Sequence, residues 1–197
     1  MQLDEVIRAR RMVRRYTDEP VESGVVDRAL DRAVRAPSAG FTQGWAFLVL
    51  DTPADVAAFW TAATPPGRGT DAWSTGMRRA PVVVVPWSSR QAYVDRYAEP
   101  DKGWVGHDDP WPVPYWHVDA GMAALLMLLS VVDDGLGACF FGVPADRVPV
   151  LREAFGVPAG YSPVGAVTIG HPAPAAHRRT RRRRPMSEVV HRGHWSA

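Results

Sequence analysis

The chain has 197 residues, of which 46% are hydrophobic and 22% charged, and its formal net charge is +2. These values are typical of one globular domain of roughly 100–200 residues with a sizeable core. They exclude a polycation that binds nucleic acid through its overall charge. The basic residues are almost all arginine, since Lys102 is the only lysine.

The single cysteine, Cys139, lies in the apolar run GACFFGV. It cannot form an internal disulfide, and no CxxC or Cys/His ligand set is present, so we expect a buried side chain and no metal site. The N-terminus has no apolar signal core, and the longest apolar run, Ala120–Leu129, is shorter than the roughly 18–20 residues of a membrane span. We therefore expect a cytoplasmic protein with no membrane association.

Helices and strands alternate through the first part of the chain. Leu3–Arg10 predicts a short helix, with acidic residues early and arginine late. Val21–Pro37 predicts a clearer helix, because its apolar residues recur with helical spacing before Pro37 ends it. Trp45–Leu50 is typical of a short buried strand, and Asp51-Thr52-Pro53 of a helix start.

The middle of the chain combines a strand with an aromatic segment. Pro81–Trp87 is rich in β-branched residues and predicts a second central strand. Residues 93–115 are rich in Pro, Gly, Trp and Asp, which indicates an ordered loop or lid. Two roles fit its aromatic side chains: stacking on a flat ligand, or packing the loop against the core or a second subunit. The aromatic residues considered are Tyr93, Tyr97, Trp104 and Trp111 of this segment and Trp116, which follows it directly.

The last elements complete an alternating pattern. His117–Gly135 is apolar on nearly every side and predicts a central helix, for which we expect a partner subunit to supply further cover. Gly137–Val143 predicts a strand, Asp146–Gly156 a helix and Ser162–Gly170 the last core strand. The tail from His171 onward has no core of its own. The alternation of elements predicts an α/β or α+β class.

Arginines gather in two clusters near opposite ends, in RARRMVRRYTDEP (Arg8–Pro20) and HRRTRRRRP (His177–Pro185). Their planar guanidinium groups match the oxygens of phosphate. Three interpretations fit: a solvated basic surface, a nucleic-acid contact, or convergence on one small phosphorylated ligand. Since neither GxGxxG nor GxxxxGK[ST] is present, arginine side chains would have to replace a glycine-rich phosphate loop in the third case.

Side-chain catalytic sets are absent from the sequence. GxSxG and HExxH do not occur, and the tail histidines have no ligand spacing. Asp119, near the start of the central helix, is expected to cap it. This pattern fits chemistry that is carried by a cofactor, with the protein supplying position and electrostatics.

Four motifs in order resemble the flavin-dependent nitroreductase family. RARRMVRRYTDEPV is similar to the family's opening R-R-S-x-R-x-F/Y-x-x-x-P-V, and APSAGFTQGW to its A-P-S-x-x-N-x-Q-P-W. GLGACFFG resembles the G-L-G-x-x-x-x-G that follows the family's central helix, and RRRRPMSEVV the closing R-x-R-x-P-x-x-E-V-V. The resemblance covers nearly the whole chain.

This resemblance implies a single α+β domain over residues 1–197, a sandwich with a central mixed sheet flanked by helices, in an intertwined homodimer. Residues 93–115 would form a lid or insertion, and residues 171–197 an arm on the partner subunit. It implies an FMN-dependent NAD(P)H oxidoreductase that passes hydride through flavin N5 to a flat conjugated acceptor, such as a nitroaromatic, quinone or enone, by a ping-pong mechanism. The alternative is a flavin- or deazaflavin-binding protein of the same fold that fragments or sequesters flavin.

The resemblance also assigns roles to matching positions. Both arginine clusters would meet the FMN phosphate, the Pro37 segment would line the flavin of the second subunit, and a backbone N–H of Cys139–Val143 would lie near N5. No catalytic side chain is expected. The implied cofactor-binding residues are Arg10, Arg11, Met12, Arg14, Pro37, Ser38, Gln43, Cys139, Phe140, Phe141, Gly142, Arg181 and Arg183, and the implied substrate contacts are Phe41, Tyr93, Tyr97 and Trp104.

Three positions depart from the family's pattern. Met12 stands in place of Ser, which removes a hydrogen bond to the phosphate or ribityl end. Phe41 replaces Asn, and Gly44 replaces Pro. Phe at this position resembles the flavin-destroying branch that makes the lower ligand of cobalamin, and the deazaflavin-using branches also remain compatible with these departures.

Overall fold

The computed structural model describes residues 1–104, 111–174 and 182–195. Within these ranges the chain forms seven α-helices and five β-strands. The helices are α1 (Leu3–Ala9), α2 (Ser23–Ala33), α3 (Pro53–Ala63), α4 (Ala72–Met77), α5 (Arg90–Ala98), α6 (Tyr115–Asp133) and α7 (Val148–Ala154). The strands are β1 (Trp45–Leu50), β2 (Val82–Ser89), β3 (Gly137–Phe141), β4 (Tyr161–Pro163) and β5 (Ala166–Gly170).

All five strands belong to one sheet. Its order is β1-β2-β5-β3, and β4 pairs with the second half of β2. The four strand pairs are antiparallel. A mixed sheet was expected. In the described residues the parallel pairing is limited to one isolated bridge, between Met12 and Ala138. Helices and an antiparallel sheet in one unit confirm the α+β class.

The central strand β2 is buried on both faces. Val82 and Val84 pack into a cluster with α2 and α6, whereas Val83 and Val85 pack into a second cluster with α3 and α7. Side chains alternate along a strand, so this run of four valines serves two cores at once. The sheet therefore lies between two helical layers, which explains why the strand reads as continuously apolar.

The expected central helix is α6, which packs mainly against α2 and also contacts β2 and β3. It is long and apolar enough to cross a membrane by length and composition, and half of that stretch is buried inside the protein. The core helix of a globular protein has the same properties, so they do not indicate a membrane span.

Two short helices were not predicted, and one of them corrects the expected lid. α4 begins with a capping box between Asp71 and Ser74, and α5 begins at an N-cap formed by Ser89. Both are too short to show a clear helical period. Residues 93–98, expected in a loop, belong to α5 instead. The expected strand Ser162–Gly170 is also divided, with β4 and β5 separated by residues 164–165.

Candidate functional site

The N-terminal arginine segment lies between β3 and the root of the C-terminal tail. On one side, the Val13 N–H donates to the Ala138 carbonyl of β3 at 2.9 Å. On the other, the Ala173 N–H donates to the Arg15 carbonyl at 2.9 Å. The residues that follow α1 therefore contact both the strand expected to pass the flavin and the segment that leads into the second arginine cluster.

Three arginines of this segment, Arg10, Arg11 and Arg14, have no acidic partner in the described residues, whereas Arg8 pairs with Asp4 at 3.4 Å. Arg10 is half-buried, while Arg11 and Arg14 are exposed. Arg11 donates to the Arg10 carbonyl at 2.8 Å, and Arg14 to the Met12 carbonyl at 3.2 Å. Because no carboxylate neutralises them there, these three positive charges are available to an anion.

Met12 turns its side chain into the protein. It packs against both hydrophobic clusters, and its sulfur accepts a hydrogen bond from the Phe140 N–H at 3.4 Å. Ala138 and Phe140 thus direct their backbone groups toward the N-terminal segment. Strand alternation places the next N–H of that edge at Gly142, one residue beyond β3.

The β3 residues predicted to bind the cofactor direct their side chains to opposite faces of the sheet. Cys139 is buried, and burial raises the pKa of its thiol, so it is not a surface nucleophile. Phe140 packs toward the α6 side, and Phe141 stacks on Trp60 of α3 with ring centroids 5.5 Å apart. Only the backbone of this segment can serve one common ligand along the sheet edge.

The Pro37 segment forms a tight loop with unusual backbone angles. Gly40, Phe41 and Gln43 have φ values of 62°, 54° and 51°. A positive φ at a bulky residue such as Phe41 costs roughly 1–3 kcal/mol and persists only where neighbours enforce it. The loop presents Phe41 with 76% of its surface exposed. It also closes on itself, because the Gln43 N–H donates to Ser38 Oγ at 3.0 Å.

Residues to which the sequence assigned another role, or none, hold this loop in place. The Asp119 carboxylate accepts hydrogen bonds from the Ala39 N–H at 2.8 Å and the Tyr93 hydroxyl at 2.7 Å. Arg96 Nε donates to the Gly40 carbonyl at 2.8 Å. Burial, and then the hydrogen bond to Asp119, raises the pKa of Tyr93, so its hydroxyl remains a donor.

The expectation that Asp119 caps α6 is therefore wrong. The N-cap is Pro114, which makes no side-chain capping bond, and Asp119 lies a full turn inside with only 2% of its surface exposed. A charged residue within an otherwise apolar helix was the available indication of this role. Nearby, His117 Nδ1 lies 2.8 Å from Ser88 Oγ, and burial lowers the pKa of His117.

The aromatic residues expected in the lid pack against one another. Tyr97 lies with its ring centroid 4.9 Å from Trp104 and 5.4 Å from Trp111, and Trp111 lies 6.0 Å from Trp116. Tyr93 is 0% exposed, which contradicts its expected contact with substrate. Of the two roles considered, packing of the segment against the core is the one that these contacts favour.

The second arginine cluster is only partly described. Arg181 lies outside the described residues. Arg183 is exposed and has no ion pair in the part of the chain that the structure describes. Arg184 instead pairs with Glu188 at 3.1 Å, so its charge is already engaged.

Comparison with known proteins settles the family. Residues 7–171 match the Nitroreductase family. The chain belongs to the nitroreductase family. As a member of it, the protein is a flavin-dependent oxidoreductase.

One relative and two solved structures show which members of the family the chain is similar to. A Methanothermobacter thermautotrophicus protein, provisionally named NADH dehydrogenase/NAD(P)H nitroreductase, is 27% identical over 175 residues, covering 88% of this chain and 78% of that one. A structure provisionally named nitroreductase, in complex with FMN, from Desulfovibrio desulfuricans has a TM-score of 0.71 at 28% identity and covers 96% and 95% of the two chains. A nitroreductase family protein from Clostridium difficile has a TM-score of 0.75 at 20% identity, covering 99% and 100%.

Proposed function

We propose that the protein is an FMN-dependent NAD(P)H oxidoreductase that reduces a flat conjugated acceptor, such as a nitroaromatic, quinone or enone. The observation that carries this proposal is the position of the N-terminal arginine segment, bonded to β3 through Val13 and to the tail root through Arg15. This arrangement places cations without an acidic partner in the described residues along the outer edge of β3, where the family resemblance expects a flavin. Arginine side chains can thereby do the work of a phosphate loop.

The residues at this edge fit the cofactor. Arg10, Arg11 and Arg14 would hold the phosphate, because their charges have no acidic partner in the described ranges. The Gly142 N–H would be the donor near the ring, since the Phe140 N–H is already taken by the Met12 sulfur. When bound, FMN would supply the hydride chemistry, taking hydride from a nicotinamide and passing it to the acceptor.

We propose that the active unit is a homodimer. The outer face of α6 carries an apolar stripe at helical spacing, with Val118 and Leu125 exposed by 41% and 48% and Gly121 and Met122 half-exposed between them. Such a stripe on a core helix is suited to pairing with its own copy about a two-fold axis. A second subunit would then bring its Pro37 loop, with the exposed Phe41, toward the first subunit's cofactor.

Met12 and Phe41 support the second candidate function, a flavin- or deazaflavin-binding protein with other chemistry. The Met12 sulfur gives the phosphate edge no hydroxyl donor, and Phe41 presents an apolar ring where the family has an amide. Both changes make the site less polar than the family pattern. A cofactor with a different ring, or a flavin that is bound but not reduced, would tolerate this lower polarity.

A visible spectrum of the purified protein separates these functions. We expect a flavin band that bleaches on anaerobic addition of NADH or NADPH and returns when a quinone is added, because the donor and the acceptor react in turn. A flavin band that neither nicotinamide bleaches would favour the second candidate. A colourless protein that does not take up added FMN would contradict the proposal.

Replacing Arg183 with alanine should weaken FMN binding roughly tenfold, because a charge-assisted hydrogen bond to phosphate is lost. The measurement is a titration of apoprotein with FMN, followed by flavin fluorescence. Arg184→Ala is the matched control, since Arg184 already pairs with Glu188 and should leave FMN affinity unchanged. Equal FMN affinity in the Arg183 variant and the unmodified protein would remove this residue from the phosphate site.

A further inference from the structure

Arg96 of α5 contacts two separate parts of the chain at once. Its Nε donates to the Gly40 carbonyl of the Phe41 loop, residues 37–43, at 2.8 Å. Its two terminal nitrogens donate to the two carboxylate oxygens of Asp101 at 2.7 and 2.8 Å, and Nη1 also donates to Glu99 at 3.0 Å. The three nitrogens of one guanidinium are therefore divided between the loop and the residues that follow α5.

Residues 99–104, here called the post-helix turn, fold back onto the end of α5. Three of their backbone N–H groups donate to the carbonyls of Tyr97 and Glu99 at 2.9 Å. Asp101 lies in the middle of this turn, and a carboxylate bound by both arms of a guanidinium has a fixed orientation. The paired bond between Arg96 and Asp101 therefore fixes the turn relative to the helix.

An aromatic contact joins the same two parts of the chain. The Tyr97 ring lies directly against Gly40, since a Cβ added at Gly40 would be 2.8 Å from a ring carbon of Tyr97. The Trp104 ring of the post-helix turn lies next to it, with the two ring centroids 4.9 Å apart. Gly40 also has a φ of 62°, so the backbone conformation and the close approach of Tyr97 both favour glycine there. A polar and an aromatic connection thus run side by side from the loop to the turn.

The outermost side chains of the two parts are aromatic and exposed. Phe41 is 76% exposed in spite of its positive φ, and Trp104 is still 40% exposed although its ring packs on Tyr97. The Arg96 side chain, which joins the two parts, is only 23% exposed. A strained aromatic residue that is exposed gains little from burial within its own chain, so its conformation points to a contact with something else.

We propose that Arg96 is a positioning residue that joins the Phe41 loop and the post-helix turn into one aromatic wall of the acceptor site. Phe41 and Trp104 face the flat acceptor, and Arg96 sets the position of both without touching it. The role of the wall rests on the proposed oxidoreductase function, whereas the coupling of the loop to the turn does not.

Hydrogen exchange of the full-length protein, followed by mass spectrometry without added flavin or nicotinamide, tests the coupling. Arg96→Lys keeps the charge, but one ammonium cannot donate to Gly40 and also make the paired bond to Asp101. We expect the amides of both the loop and the turn to exchange roughly tenfold faster, because each part loses a hydrogen bond. Asp101→Asn keeps the size of the side chain, and we expect it to accelerate exchange in the loop as well, although Asp101 does not touch the loop.

Arg28→Lys is the matched control for the exchange experiment. It alters another pair of arginine and aspartate, formed with Asp134 at 3.2 Å, and should leave exchange in the loop and the turn unchanged. Faster exchange of only one of the two parts in Arg96→Lys would overturn the coupling. Faster exchange of the turn alone in Asp101→Asn would do the same.

Steady-state kinetics of the FMN-loaded protein, with NADH or NADPH as donor and menadione as acceptor, tests the wall. We expect the KM for menadione to rise roughly fivefold in Asp101→Asn while kcat stays within about twofold, because a displaced wall weakens binding of the acceptor. A protein that is merely destabilised loses kcat at an unchanged KM. An unchanged KM in a variant whose exchange is faster would overturn the wall. If neither nicotinamide reduces the flavin of the unmodified protein, the proposed function fails, and the exchange experiment still decides the coupling.

Discussion

Replacing Asp119 with alanine is expected to destabilise the protein by roughly 3 kcal/mol, because one buried and one partly buried donor lose their acceptor at once. The Ala39 N–H and the Tyr93 hydroxyl both donate to this carboxylate. The same change should release the loop that carries Phe41, whose positive φ requires an external restraint. We therefore expect weaker FMN binding in addition to the loss in free energy of unfolding, which urea denaturation measures.

Two companion variants assign the effect to the hydrogen bonds. Asp119→Asn keeps an acceptor oxygen and should recover part of the lost stability. Asp95→Ala removes an exposed carboxylate from α5, where its partner is Gln91, and should change stability by no more than about 0.5 kcal/mol. A loss below about 1 kcal/mol in Asp119→Ala would mean that the loop is held by other contacts, of which Arg96 is the first candidate.

The elements that the sequence predicts well are those with a clear apolar pattern or a recognisable start and end. The four valines of β2 and the long apolar helix α6 are central in the structure, as expected. An element that is buried on all sides has apolar residues at successive positions, and this uninterrupted run is visible in the sequence. The short helices α4 and α5 were missed for the opposite reason. Neither shows a clear apolar repeat, and each begins at a polar cap, Asp71 or Ser89, of a residue type that also occurs in loops.

The parts of the site that depend on long-range contacts could not be predicted from local pattern. Asp119 lies 80 residues from Ala39, and Met12 lies 128 residues from Phe140, yet each pair is joined by a hydrogen bond. A sequence shows that a carboxylate or a thioether is present, but only the fold determines its partner. The left-handed backbone at Phe41 could not be predicted either, because phenylalanine as a residue type gives no indication of a positive φ.

The order of strands explains how the root of the C-terminal tail comes to the N-terminal arginine segment. β3 is the last strand of the path β1-β2-β5-β3, and its outer side is occupied by the N-terminal segment instead of a sixth strand. The tail leaves from the end of β5, next to β3, and passes the same segment at Ala173. The topology thus brings the N-terminal segment and the root of the tail together at the sheet edge, which is the arrangement that the proposed phosphate site requires of the described residues.

Replacing Gly76 with alanine tests how closely α4 holds this arginine segment. A Cβ at Gly76 would overlap the Arg14 carbonyl oxygen and lie 3.0 Å from the Arg15 side chain, so α4 and the segment must separate. Such overpacking costs about 2 kcal/mol, and we expect FMN affinity to fall as well, since Arg14 moves with its carbonyl. Urea unfolding and FMN titration measure the two effects.

Gly24→Ala provides a control of opposite sign. Gly24 is also helical, in α2, but a Cβ there would be at an ordinary contact distance of 3.5 Å from Arg28. Alanine is the better helix former by roughly 0.5–1 kcal/mol, so this variant should be slightly more stable. If Gly76→Ala were stabilised to the same degree, helix propensity would outweigh the contact with Arg14, and α4 would not restrain the proposed phosphate site. Loss of stability only at Gly76, accompanied by weaker FMN binding, is the result that close packing against the Arg14 backbone requires.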